Sequence, residues 1–120
     1  MPDGKIIDLY GIVNCDQVKK ARAWLDEAGV AYRFHDFKKE PPDAALIGRW
    51  LKKAGWETLV NRRGTTWRGI AEDERPATEA AARVAMLEKP TLIKRPVASL
   101  GETLVVGFDE VEYQRLFHRT

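Results

Sequence analysis

Apolar and polar positions along the chain change period several times, and each change marks an element. In "KIIDLYGIV" a short apolar run from about Ile6 to Tyr10, closed by Gly11, predicts a strand with a buried sheet position. From Asp16 the period becomes helical: Val18, Ala21, Trp24, Leu25 and Ala28 share one face, Asp16 is placed to cap the start, and Gly29 supplies the stop. "VAYRFHDF" then alternates, with Tyr32, Phe34 and Asp36 on one side and Ala31, Arg33 and His35 on the other, which predicts a second strand. Strand, helix and strand in so short a span form a βαβ unit, whose two strands run parallel with a right-handed crossover.

Helical patterning dominates the middle of the chain. Asp43 is a plausible cap for a stripe of Leu46, Ile47, Trp50, Leu51 and Ala54, closed by Gly55, and "WETLV" adds a further turn. "NRRGTTWRG" reads as a polar loop, and the alanine-rich stretch from about Pro76 to Glu88 reads as a helix that Pro90 stops. After it, "TLI" predicts a third strand and "KRPVASLGETLVV" a hairpin, with Gly101-Glu102 in the turn and a return strand over Thr103 to Val106. Asp109 with Glu112 three residues on has the spacing of a capping box, opening a last helix through Val111, Leu116 and Phe117. The order is that of a small α/β domain with helices inserted between its halves. The expected fold class is α/β and thioredoxin-like, a mixed four-stranded sheet in one domain over 1–120 with a helical insertion at about 40–89.

Bulk properties narrow the function classes. A length of 120 residues allows one domain with its own core. A net charge of +2 is too balanced to point to nucleic acid as a partner. No apolar run approaches the length of a membrane span, and the start of the sequence lacks the pattern of an export signal, so a cytoplasmic location is expected. His35 and His118 are too few and too scattered to suggest a metal site, and none is expected.

One cysteine carries the candidate chemistry. Cys15 stands where the first strand turns into the first helix, with Lys19, Lys20 and Arg22 in the turns that follow. Two readings are open: a small apolar filler, or a nucleophile held as thiolate. A thiol attacks only when ionised, and two features favour the ionised form here. The first-turn amides of a helix carry partial positive charge, and cations next to a helix N-terminus are out of place unless an anion offsets them. Asp16 opposes this unless its carboxylate is turned to the backbone as a cap. "CDQV" holds no second cysteine, so an adduct on Cys15 must be cleared by an external thiol. Glutathione or a glutaredoxin is the expected reductant, with no cofactor bound. Trp24, Trp50 and Trp56 are expected in the core, while Trp67 stands out between Thr66 and Arg68 in the polar loop.

Several stretches together, "LYGIVNCDQVKKARAWLDEAG", "YRFHDF", "GW…LVNRRGTTWR" and "KPTLIKRPV" followed by "GF", resemble the arsenate reductase C (ArsC)/Spx family, most closely its YffB-like branch. The resemblance implies that Cys15 is the nucleophile, that Arg95 helps to bind an oxyanion beside the sulfur, and that Pro96 is the cis-proline of the fold. Arsenate reductases surround the cysteine with three arginines. The first of these falls near Asn61 here, with Arg62 or Arg63 as substitute and Arg63 the one chosen, and the third falls in "ETLVVGF", which holds none. The expected catalytic residues are therefore Cys15 and Arg95, with Asn14, Lys19, Arg63 and Pro96 contacting a small oxyanion or disulfide substrate. The expected activity is that of an arsenate reductase-like, thiol-dependent oxidoreductase. The alternative is an Spx-like regulator that binds RNA polymerase without catalysis; many such proteins carry a two-cysteine switch that this chain lacks.

Overall fold

Four strands form one mixed sheet in the order β2-β1-β3-β4: β1 (Ile7–Gly11), β2 (Tyr32–Asp36), β3 (Val97–Leu100) and β4 (Thr103–Val106). The computed structural model describes residues 6–118. β1 runs parallel to β2, with Leu9 opposite Phe34, and antiparallel to β3, with Tyr10 opposite Val97. β4 returns antiparallel to β3 through a turn at Gly101, whose φ of 58° is the left-handed value that favours glycine. The expected mixed four-stranded sheet is thus present. β1 ends one residue later than its pattern predicts, because Gly11 still pairs with Asp36 and its carbonyl accepts from the Phe37 N–H at 2.8 Å.

Two helices cover one face of this sheet: α1 (Asp16–Ala28) and, at the end of the chain, a helix over Glu110–Phe117. Ile7, Leu9, Ala98 and Val105 from the strands pack with Ala21 and Leu25 of α1 and with Tyr113 and Phe117 of the last helix. The chain divides into two compact units. The first joins the stretch up to Lys39 with the stretch from Arg95 onward, and the second is Glu40–Lys94.

The second unit is helical, with α2 (Ala44–Ala54), α3 (Trp56–Leu59), α4 (Thr65–Arg68) and α5 (Glu79–Glu88), so the last helix of the chain is α6. Asp43 caps α2 as expected, its side chain accepting from the Leu46 N–H at 2.8 Å. Asp43→Ala should cost about 1 kcal/mol in chemical denaturation, while Asp43→Ser should retain most of that. Ile47, Trp50 and Leu51 of α2 are buried, as are Ala82 and Met86 of α5. Among the described residues, no helix is long and apolar enough to cross a membrane.

Four local expectations are corrected. α5 starts at Glu79 rather than near Pro76, because Thr78 takes the cap, its hydroxyl accepting from the Ala81 N–H at 3.2 Å. "TLI" is not a strand. Pro90 opens a 3-10 turn over Pro90–Leu92, and only Ile93 pairs, in a single antiparallel bridge to Val60. The polar stretch "NRRGTTWRG" winds one turn of helix, α4, tied down by Thr66 Oγ1 against Thr91 Oγ1 at 2.7 Å and by Arg75 Nε, which donates to the Trp67 and Ile70 carbonyls. Asp109 caps α6 by accepting from the Val111 and Glu112 amides, but the Glu112 carboxylate pairs with Arg115, so the reciprocal half of the box is not made. Val111, Leu116 and Phe117 lie in α6 as expected; Val111 is 74% exposed, and the helix turns Tyr113 and Phe117 inward.

Candidate active site

β1 delivers its C-terminal end to the start of α1 across residues 12–14. Cys15 occupies the N-cap of α1 in extended backbone (φ −101°, ψ 126°), and the Cys15 carbonyl accepts the first helical bond, from the Lys19 N–H at 2.9 Å. The amides of Asp16, Gln17 and Val18 precede that first bond. They have no partner within the helix and point toward its N-terminal end, where the sulfur is attached. The Cys15 side chain makes no capping hydrogen bond, and the residue is half-buried. Asp16, expected as the cap, is instead the first helical residue, because Cys15 already holds the extended conformation that a cap requires.

The cations around the sulfur are fewer than the spacing implies. Arg22 turns to β2, where its Nε donates to the Tyr32 hydroxyl at 3.3 Å and its guanidinium lies 4.5 Å from the centre of the Phe34 ring. Lys19 and Lys20 are exposed. Lys20 borders a groove of about 810 Å³ between α1 and α6, together with Gln17, Trp24, Phe108, Gln114 and His118. Cys15, Asn14 and Arg95 do not line that groove.

Arg95 and Pro96 arrive at the same end of the central strands. The Arg95–Pro96 peptide bond is cis. Pro96 precedes β3, and continuing the β1–β3 register sets it opposite Gly11. Its carbonyl accepts from the Gly107 N–H at 2.7 Å, which holds it at the root of β4. The Arg95 Cβ is 3.8 Å from the place where a β-carbon on Gly11 would be, and Arg95 Nε is shielded from solvent. Cys15, Lys19, Arg95, Pro96 and the exposed Asn14 therefore all belong to the end of β1 and the elements beside it. Arg63 belongs to the second unit, where it is exposed and its N–H donates to Asn61 Oδ1 at 3.1 Å.

Gly11 is the residue the sequence reading passed over. It reads as a strand terminator, yet a glycine inside a paired strand also signals close backbone approach. Trp67, singled out for its polar surroundings, is half-buried in the second unit with Arg62 and Arg75 over its ring, at 5.8 and 5.3 Å from the centroid.

Comparison with known proteins bears on this arrangement. The ArsC family model matches residues 10–116. A solved YFFB protein superposes with a TM-score of 0.88 at 46% identity, covering 92% of this chain and 98% of its own. An arsenate reductase (ArsC) related protein from Brucella melitensis superposes at 0.78 with 45% identity, covering 97% and 98%. The global transcriptional regulator Spx 1 of Lactococcus lactis is 28% identical over 95% of this chain and 91% of its own length.

Proposed function

The chain belongs to the ArsC family, and we propose that it is a thiol-dependent oxidoreductase of the cytoplasm with Cys15 as its nucleophile. The single observation behind this is the place of Cys15: a half-buried thiol at a helix N-cap, without a capping bond of its own, just past the end of β1 beside which Arg95 and the cis Pro96 also lie. The first-turn amides of α1 end beside it with partial positive charge, and a thiol attacks as its thiolate. Arg95 steadies the negative charge of a small oxyanion or of a carboxylate-bearing disulfide, Pro96 shapes the backbone beside it, and Asn14 and Lys19 complete the substrate contacts.

The substrate class favoured is a disulfide. The Cys15 thiolate attacks one sulfur, forming a mixed disulfide and expelling the other half as a thiolate. A glutathione thiolate then attacks the substrate sulfur, returning Cys15 as thiolate. A second glutathione frees the remaining half, so two glutathiones supply the two electrons and leave as their disulfide. A glutaredoxin serves in place of free glutathione for the same exchange. Arsenate suits this chain less well, since Asn61 stands where an arginine would supply a fork-shaped contact and the stretch from Glu102 to Phe108 contains none.

Incubation with oxidised glutathione followed by intact mass measurement tests the reading. One glutathione adduct is expected on the native chain, reversed by reduced glutathione, and none on Cys15→Ser. A folded native protein that stays unmodified would overturn it. The likeness to Spx 1 keeps a second reading in play, a polymerase-binding regulator, for which capture of RNA polymerase unaffected by Cys15→Ser is the expected result.

A further inference from the structure

Gly11 sits where three segments meet, and nothing in its own conformation demands glycine. The glycines with positive φ are Gly29, Gly55, Gly101 and Gly107; Gly11 is not among them. Its backbone is ordinary strand, paired to Asp36 on β2. What is unusual is the space. A β-carbon on Gly11 would lie 2.6 Å from Val18 Cγ2, far inside van der Waals contact, and 3.8 Å from the Arg95 Cβ.

Val18 cannot move aside cheaply. It is 0% exposed, it is β-branched and so stiff at χ1, and it stands in the first turn of α1, directly after the Cys15 cap. Gly11 itself is held from the far side, since its carbonyl takes the Phe37 amide and the strand ladder fixes its height. A side chain here must therefore push the first turn of α1 away from β1, carrying the cap residue with it. Arg95 and the cis Pro96 are tied to β4 through Gly107 and would not follow.

We propose that Gly11 is a positioning residue for the reaction: its missing side chain lets the Cys15 turn and the root of Arg95 share one end of β1, which sets the reach between the sulfur and the guanidinium. This rests on the assignment of Cys15 and Arg95 to one active site. Glycine is used here for close helix-to-strand packing, as it is in other strand-to-helix turns that carry a binding site.

The measurement is the ratio of alkylation rates at Cys15 by iodoacetate and iodoacetamide. On that assignment the anionic reagent reads the Arg95 guanidinium as well as the sulfur and the neutral one reads the sulfur alone, so the ratio reports their separation and does not depend on glutathione. Gly11→Ala should lower the ratio at least threefold. The double variant Gly11→Ala/Val18→Ala, in which the clashing methyls are gone, should return it to within about twofold of native. An unchanged ratio in a folded Gly11→Ala protein, or a lowered ratio that the double variant does not restore, overturns the proposal. Should Gly11→Ala alone not fold, the folded double variant decides by the same ratio. Failure of the functional reading looks different: the native protein then takes up no glutathione, whatever the alkylation ratios of the variants.

Discussion

Cys15→Ser should abolish turnover of a disulfide substrate, by about a thousandfold or more, while leaving the protein slightly more stable than before. Loss of activity follows from chemistry. A serine hydroxyl forms no disulfide, and the chain holds no second cysteine to take over. The gain in stability follows from position. Cys15 occupies a helix N-cap and makes no capping bond, whereas serine is among the best capping residues, because its oxygen accepts from the first-turn amides. Cys15 leaves those amides without a side-chain acceptor, so the substitution supplies them with a cap. A rise of about 0.5–1 kcal/mol in unfolding free energy is expected. Arg95→Ala should lower turnover by roughly a hundredfold, in the range seen when one charge-stabilising donor is removed, with the glutathione adduct on Cys15 still detectable. A Cys15→Ser protein that is fully active, or one that is inactive and markedly destabilised, would contradict this account: the first because the thiol is then unused, the second because Cys15 is then a packing residue.

Much of the frame was legible because periodicity is a strong signal where one face is buried. β1, α1, β2, α2 and the β3–β4 hairpin all follow their patterns to within a residue or two. The failures have local causes. "TLI" is apolar enough for a strand, but Pro90 presets a 3-10 turn and leaves a single paired residue. α4 has no apolar stripe to detect; it is wound by Thr66, Trp67 and Arg75 contacts that lie 8 to 25 residues apart in sequence. At the candidate site, the place of Cys15 between strand and helix was legible, and the family resemblance supplied the cis bond at Pro96. The apparent cluster of three cations was not real as a cluster, because a one-dimensional count cannot show that Arg22 prefers the Tyr32 hydroxyl and the Phe34 ring. Gly11 was missed for a related reason: its role is defined by what a side chain would strike, and Val18 and Arg95 come to it from 7 and 84 residues away.

The last helix holds the second large effect. Tyr113 is 0% exposed and stands at the centre of an aromatic cluster, with Trp24, Phe108 and Phe117 set edge-on at centroid distances of 5.6, 4.8 and 5.1 Å. Tyr113→Ala removes that ring from the core shared by the sheet, α1 and α6 and should cost about 3–5 kcal/mol, enough to leave a domain of this size barely folded. Tyr113→Phe should behave in the opposite way. The Tyr113 hydroxyl is buried with no hydrogen-bond partner among the described residues, so its removal relieves a desolvation cost, and stability at neutral pH should hold or rise by up to about 1 kcal/mol. The two proteins should then diverge in alkali. Burial pushes the Tyr113 phenol well above its ordinary range in the native state. In the unfolded chain it ionises near pH 10. Above that pH the unfolded state binds fewer protons than the native state, so the stability that the buried neutral phenol contributes is complete below about pH 10 and declines as pH rises, by about 1.4 kcal/mol per pH unit at most. Tyr113→Phe has no proton to lose at this position. Its advantage over the native protein, measured by urea denaturation at pH 8, 10 and 11, should therefore be small at the first and widen across the other two. Every other side chain is the same in the two proteins and cancels in the difference, so parallel stability curves through pH 11 would mean that the phenol reaches water or a partner after all.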